Sequence, residues 1–302
     1  MTPGKHSHLW SPPGQGDLPA IPVRTLHGAQ PGPHLLATGG VHGDEYEGPA
    51  ALEQWFAALD PARLAGRITT LPVVNVAAWS ARQRRTPADD SDLNRAFPGD
   101  PAGGPTARLA FAVWQEFIIP ADAVIDLHSG GIAFRHLPLA GVYAGAGDQA
   151  RRLRSAFDAR FRAWLIPDAR GVLSREAHHA GKIAAGIEWG GGGALDPAGV
   201  AALVDALNRC LGLLGLSTDP QPSGSPDTQP PVGGDYETAP AAGIFSASVP
   251  LGIHVAVGDR IGTLINPFTG VTTAVAAQRA GQIAGLAHRA WLDAGDRIAY
   301  LG

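Results

Sequence analysis

Four polar residues stand where apolar runs give way to glycines. His42 and Glu45 lie in Gly39-Gly40-Val41-His42-Gly43-Asp44-Glu45, His128 ends the run from Ala123 before Ser129-Gly130-Gly131, and Glu188 ends the run from Ile183 before Trp189 and Gly190 to Gly193. An imidazole and a carboxylate three residues apart can reach one small cation if glycines let the turn fold tightly. Taken alone, the His42 and Glu45 pair is equally a common polar turn. Joined by His128 it becomes the two-histidine, one-carboxylate set of a hydrolytic zinc site, which keeps a fourth position for water. Zinc brings the pKa of such a water to about 7 and polarises a carbonyl, so amide hydrolysis becomes feasible at neutral pH. That chemistry still needs a proton acceptor, and Glu188 is the best placed, its plainer alternative being a capping or salt-bridged carboxylate. Asn94 and Arg95 offer an amide donor beside a planar bidentate cation, which suits a substrate carboxylate.

The elements that must position these residues read as alternating strands and helices. The run Leu35-Leu36-Ala37 predicts a buried strand before the first glycine turn, followed by a helix over Pro49 to Leu59 with Leu52, Trp55, Phe56 and Leu59 at helical spacing. Arg67 to Asn75 reads as a strand, Pro105 to Ile119 as a helix, Ala123 to His128 and Lys182 to Trp189 as strands, and about Asp148 to Leu165 and Pro197 to Leu214 as helices. Residues 1 to 33 read as a loop with an edge strand, and their histidines, with His34, as solvated or capping residues. The expected fold class is therefore α/β, with a mixed, largely parallel central sheet, flanking helices and a ligand crevice beyond the strands' carboxyl ends. Residues 81 to 100 are too polar and proline-broken for the core. Arg82, Arg84, Arg85 and Arg95 there face Asp89, Asp90 and Asp92, a composition that also fits a self-neutralising surface loop.

Three regions are expected: a catalytic α/β domain over 1 to 216, a Pro/Gly/Ser-rich linker over 217 to 242, and a small β module over 243 to 302. The module carries a short repeat, Val257-Gly258-Asp259-Arg260-Ile261-Gly262 and Ala294-Gly295-Asp296-Arg297-Ile298-Ala299, which resembles a biotinyl/lipoyl-type barrel-sandwich. Residues 243 to 302 contain no lysine, so a carrier role is excluded and a structural or site-covering role remains.

With 302 residues and 45% hydrophobic content, the chain can bury a sizeable core. A net charge of −4 with interspersed signs gives no reason to expect nucleic acid or an anionic membrane as partner. Cys210 is the single cysteine, so a bound metal must use His, Asp or Glu. Lys5 and Lys182 are the only lysines, which leaves Lys182 as the sole plausible Schiff-base residue and disfavours that chemistry. Met1 to Trp10 has no apolar signal region and no run approaches the ~20 apolar residues of a membrane span, so a cytoplasmic location is expected. Oligomeric state stays open, with a homo-oligomer among the possibilities.

The stretches Gly-Val-His-Gly-Asp-Glu, Asp-Leu-Asn-Arg-Ala-Phe-Pro-Gly, Asp-Leu-His-Ser-Gly-Gly and Ile-Glu-Trp-Gly-Gly-Gly-Gly occur in this order between residues 34 and 215. Together they resemble the succinylglutamate desuccinylase/aspartoacylase family, within the wider zinc carboxypeptidase superfamily. The resemblance implies a zinc-carboxypeptidase-like sheet, one Zn2+ per chain and cleavage of the amide in a small N-acyl amino acid. It places His42, Glu45 and His128 as zinc ligands, Glu188 as general base, and Asn94 with Arg95 as the carboxylate-binding pair. It further implies an arginine that stabilises the oxyanion, for which Arg85 is the choice, with Arg84 and Arg82 as alternatives. Within the family, Asp-Glu-Tyr-Glu-Gly-Pro and the Arg-Thr-Pro loop look most like bacterial deacetylases of N-acetylated diamino acids such as N-acetyl-diaminobutyrate. A second amine on the substrate would call for a spare carboxylate, and Asp44, Glu47, Asp89 and Asp90 all qualify. The competing enzyme reading is a zinc carboxypeptidase acting on peptides, and the competing non-enzyme reading is a metal-binding scaffold.

Overall fold

The structure, a computed structural model, describes residues 2–217, 219 and 231–302. Strands β1 (Gly4–Trp10) and β2 (Ile21–His27) form a hairpin, followed by β3 (Gln30–Thr38), α1 (Glu47–Ala58), β4 (Ala65–Leu71), α2 (Val76–Ala81) and α3 (Pro105–Val113). Next come β5 (Ala123–His128), β6 (Phe134–Val142), α4 (Asp148–Arg154), β7 (Arg162–Leu165), α5 (Leu173–His179), β8 (Ile183–Gly191) and α6 (Pro197–Leu213). The rest is all strand: β9 (Asp235–Thr238), β10 (Gly243–Ala247), β11 (His254–Val255), β12 (Arg260–Ile265), β13 (Thr272–Ala276), β14 (Gly281–Ala287), β15 (Trp291–Leu292) and β16 (Arg297–Leu301).

A mixed sheet of 12 strands runs β1-β2-β4-β3-β5-β8-β6-β14-β16-β9, with β7 paired to β6 and β11 to β14. Its centre, β4-β3-β5-β8, is parallel, as the alternating strand and helix pattern requires. The apolar runs of these strands serve two cores. Leu35, Ala37, Ile125 and Ile187 meet α1 and α6 on one face, while Leu36, Val124 and Ala184 meet α3 and α5 on the other. Burial on both faces is why these strands read as continuous apolar runs instead of alternating ones. Because β3, β5 and β8 run the same way, Thr38, His128 and Glu188 all emerge at one edge of the sheet.

Several elements differ from expectation. The helix expected over Asp148 to Leu165 stops at Arg154, and Arg162–Leu165 pairs with β6 as a strand. Asp158 Oδ1 accepts from the backbone N–H of Arg160, and the buried Arg209 of α6 donates Nε to the carbonyl of Ala156 at 2.5 Å. These bonds satisfy the chain in a turn, and the ladder to β6 outweighs helical periodicity. The strand expected to reach Asn75 ends at Leu71, before Pro72, and Asn75 instead accepts from the N–H of Ala78 as the N-cap of α2, which was not foreseen. The helix over Pro105 to Ile119 becomes α3 followed by a π-helical turn, Trp114–Ile118. His34 is not solvated: it is buried, with Nε2 3.0 Å from Thr69 Oγ1 and Nδ1 3.1 Å from the Pro120 carbonyl.

The C-terminal strands divide between two sheets. Strand β14 pairs antiparallel with β6, and β16 and β9 extend the same large sheet, while β13-β12-β10-β15 form a second, antiparallel one. Residues 218 and 220–230 of the expected linker lie outside the described residues, and Asp235–Thr238 within it is a paired strand. The two copies of the sequence repeat do share one turn: Gly258 and Gly295 have φ of 88° and 92°, and Asp259 and Asp296 each accept through Oδ2 from the N–H three residues earlier. One copy leads into β12 of the small sheet and the other into β16 of the large sheet. Among the described residues, no helix is long and apolar enough to cross a membrane.

Candidate metal centre and active site

The turn after β3 brings the first two residues together. Gly43 packs against α2 so closely that a Cβ would lie 2.0 Å from the carbonyl carbon of Ala78, so no larger residue fits without moving the backbone. Within that turn His42 Nδ1 lies 2.7 Å from Glu45 Oε1, and His128 Nδ1, from the end of β5, lies 2.9 Å from Glu45 Oε2. Ligand atoms of His42, Glu45 and His128 all fall within 4.8 Å of one another, and all three residues are buried.

The outward nitrogens are equally engaged. His42 Nε2 lies 3.1 Å from Asp92 Oδ1, and His128 Nε2 lies 2.9 Å from Asp126 Oδ2. Thr38, paired with Asp126 across β3 and β5, donates Oγ1 to Asp126 Oδ1 at 2.7 Å. Each histidine thus has its Nε2 turned to a carboxylate and its Nδ1 turned inward, the arrangement by which outer carboxylates fix the tautomer and raise the basicity of metal-ligating imidazoles. Asp92 and Asp126 were not picked out from the sequence, although each lies two residues before a site residue, Asn94 or His128.

The charges test whether a cation fits. Burial disfavours an imidazolium at His128, yet Asp126 and Glu45 outweigh it and lift its pKa well above the ordinary value. Burial likewise opposes charge on Glu45, and the two histidines overcome it and hold the carboxyl well below the usual range. A buried carboxylate flanked by inward-facing imidazoles therefore calls for positive charge at its centre. A divalent cation held by these three residues would supply that charge and leave both Nε2–H groups to the outer aspartates.

Glu188 stands beside His128 in the register of β5 and β8. Its Oε2 is buried without a hydrogen-bond partner, and burial, followed by repulsion from Glu45, pushes its pKa up to about 8. Asn94 is buried, its Oδ1 accepts from the Leu173 N–H at 2.8 Å, and its Nδ2 lies 3.2 Å from His128 Nε2. Arg95 donates Nη1 to the Asn94 carbonyl at 2.5 Å and has no ion pair among the described residues.

The three arginines expected as candidates for an oxyanion role, Arg85, Arg84 and Arg82, are oriented differently. Arg85 turns outward, is 54% exposed in its side chain, and donates to the carbonyl of Asp90. Arg84 turns inward: Nη2 lies 3.0 Å from Asp92 Oδ2 and Nη1 lies 3.6 Å from Glu45 Oε1. The loop between them and Asn94 is closed by a bridge from Thr86 to Ser91, with Thr86 Oγ1 accepting from Asn75 Nδ2, and this anchoring decides which arginine faces the site. Arg82 caps α2 in a left-handed conformation, exposed. Of the four spare carboxylates, Asp89 caps α3 through Thr106, Asp90 is 83% exposed beside Arg85, and Asp44 accepts from the Ile132 N–H. Glu47 lies buried in the first turn of α1, neither oxygen having a hydrogen-bond partner.

These stretches and this geometry have counterparts in known proteins. The profile of the succinylglutamate desuccinylase/aspartoacylase catalytic domain matches residues 31–214. An N-alpha-acetyl-L-2,4-diaminobutyric acid deacetylase of Halomonas elongata is 32% identical over 291 residues, spanning 93% of this chain and 85% of its own. The product-bound structure of the ectoine utilization protein EutE (DoeB) from Ruegeria pomeroyi superposes with a TM-score of 0.87 at 26% identity, covering 100% of this chain and 96% of that one. A succinylglutamate desuccinylase from a Silicibacter species gives a TM-score of 0.86 at 27% identity, with 100% and 95% covered. The chain belongs to the succinylglutamate desuccinylase/aspartoacylase family and is a hydrolase of linear, non-peptide amide bonds.

Proposed function

We propose that this chain is a zinc-dependent deacetylase of a small N-α-acetyl amino acid, of the diamino acid class exemplified by N-acetyl-diaminobutyrate. The observation that carries the reading is the triad of His42, Glu45 and His128 with its two outer aspartates, set beside an unpaired Glu188. The donors are two nitrogens and one carboxylate, with no cysteine, a set that suits Zn2+. Bound there, zinc supplies Lewis acidity, polarising the amide carbonyl and acidifying a water. Glu188 takes the water's proton and hands it to the departing amine. Arg84, fixed by Asp92, directs its guanidinium at the charge that develops on the amide oxygen. Arg95 receives the substrate carboxylate, and Asn94, whose Oδ1 accepts from the Leu173 N–H, holds the adjoining loop in register. The diamino acid preference rests on the Halomonas relative and on the Asp-Glu-Tyr-Glu-Gly-Pro stretch.

Incubating the zinc-loaded protein with N-acetyl-diaminobutyrate, N-acetyl-aspartate, succinyl-glutamate and blocked dipeptides, with amine release as readout, tests this. Turnover of the first substrate above the others is expected. Turnover of the dipeptides alone would overturn the reading in favour of a peptidase.

A further inference from the structure

A cavity of about 390 Å³ opens where β5 and β8 begin, with Ala123 and Ile183, the first residues of those strands, in its wall. His128 ends β5 five residues after Ala123, so at about 3.3 Å per residue the cavity lies roughly 16 Å along the strand from the metal centre, at the opposite end. Ile183 with Leu213 and Leu214, where α6 runs out, gives it an apolar surface, and Leu213 is 37% exposed.

Two opposite charges line this one cavity without meeting. Asp122, just before β5, accepts through Oδ2 from the His34 N–H at 2.7 Å; among the described residues its Oδ1 has no hydrogen-bond partner and the carboxylate no ion pair. Arg152 of α4 makes no side-chain hydrogen bond and no ion pair among the described residues, although Arg151 beside it pairs with Asp148. Gln149 stands one turn before Arg152 on the same face of α4, its amide likewise without a partner among the described residues. The carboxyl terminus of the 17-residue helix α6 lies in the same wall and presents its negative pole there, on the side of Asp122's charge in sign. A cation and an anion that face one concavity, and are too far apart to pair directly, are complementary to a ligand that carries both charges.

We propose that this cavity binds a free aliphatic α-amino acid. Arg152 and Gln149 take its carboxylate, Asp122 and the end of α6 take its ammonium, and Ile183, Leu213 and Leu214 cover its side chain. A volume of about 390 Å³ is at the small end of ligand sites, which suits one amino acid better than a peptide. Acylating the amine removes the charge that Asp122 recognises, so the cavity separates free amino acids from N-acylated ones.

The test is calorimetric titration of the zinc-loaded protein with L-leucine, L-leucinamide and 4-methylpentanoate, which carry both charges, the cation alone and the anion alone. The wild type is expected to bind L-leucine with a Kd of about 1 mM or tighter. Each analogue should bind about tenfold more weakly or worse, the worth of one charge-assisted hydrogen bond. Arg152→Gln and Asp122→Asn should each weaken L-leucine by a similar factor; the asparagine keeps an oxygen for the His34 N–H, and unchanged melting temperatures show that both variants fold. Because the active site also receives a carboxylate in the reading above, Arg95→Gln is titrated alongside and should bind L-leucine as the wild type does. Loss of binding in Arg95→Gln, with Arg152→Gln unchanged, would put the amino acid at the metal centre and overturn the proposal. Equal affinity for L-leucine and its amide, or no heat up to about 20 mM L-leucine, would overturn it as well.

Discussion

Arg84 and Arg85 are neighbours in sequence, and replacing each by alanine separates the reasoning from its alternatives. Arg84 lies 3.0 Å from Asp92 and 3.6 Å from Glu45, and 40% of its side chain is exposed, so solvent screens its ion pairs and their contribution to stability is modest, about 1 kcal/mol at most. For a chain of this length such a loss lowers the melting temperature by roughly 2–4 °C. Its effect on catalysis is expected to be far larger. Removing one oxyanion donor costs roughly 10²–10³-fold in kcat, about 2.7–4 kcal/mol. Arg84→Ala should therefore lose kcat by two to three decades while remaining folded and retaining metal, since His42, Glu45 and His128 are untouched. Arg85→Ala should stay within about twofold, because its nearest carboxylate oxygen is 3.7 Å away on an exposed Asp90 and the pair contributes almost nothing. Steady-state kinetics of amine release, with metal content measured on the same samples, decides the matter. A collapse in Arg85→Ala with Arg84→Ala near wild type would refute the assignment and with it the inward orientation of Arg84.

Three further perturbations probe other layers. Asp126→Asn and Thr38→Val interrupt the chain from Thr38 through Asp126 to His128, and zinc affinity measured by competition with a chelator should fall about 10–100-fold in the first and less in the second. A Thr38→Val protein that binds zinc no more weakly than Thr38→Ser would show that the outermost bond is idle. Glu188→Gln should keep zinc and lose roughly 10²–10⁴-fold in turnover. In metal-free protein the same change tests the electrostatics: a carboxyl whose pKa rises from 4.5 to about 8 on folding stabilises the folded state below 4.5 and loses that contribution as pH climbs to 8. Metal-free Glu188→Gln should thus melt higher than metal-free wild type at pH 8, with the gap narrowing toward pH 5; a constant gap would mean that Glu188 is ionised throughout. Trp55→Ala removes a fully buried ring whose Nε1 donates to Asn208, between α1 and α6, and should cost about 3–5 kcal/mol in denaturant unfolding with kcat of the surviving folded protein unchanged.

The residues at the strand ends were legible because two independent constraints coincide on them. A parallel strand buried on both faces must be apolar until it leaves the core, so the first polar residue after such a run marks the sheet's edge, and His128 and Glu188 stand there for that reason. What could not be read is which way a loop side chain turns. Arg84 and Arg85 have the same composition and almost the same spacing to Asn94; the bridge from Thr86 to Ser91 and the tie from Asn75 to Thr86 choose between them, and both are contacts between segments. Residues 155–165 fail for a related reason. Their apolar spacing suits a helix, and only the tertiary partners Arg209 and β6 make a turn and a strand the lower state. The C-terminal strands extend the argument from local structure to pairing. Their Val, Ile and Gly alternation announces β structure without saying what it pairs with, and pairing with β6 is what joins β14, β16 and β9 to the sheet that holds Glu188. A region that reads as an appendage from its own residues is thereby continuous with the sheet that carries the site, since a sheet continued strand by strand joins segments that sequence separation sets apart.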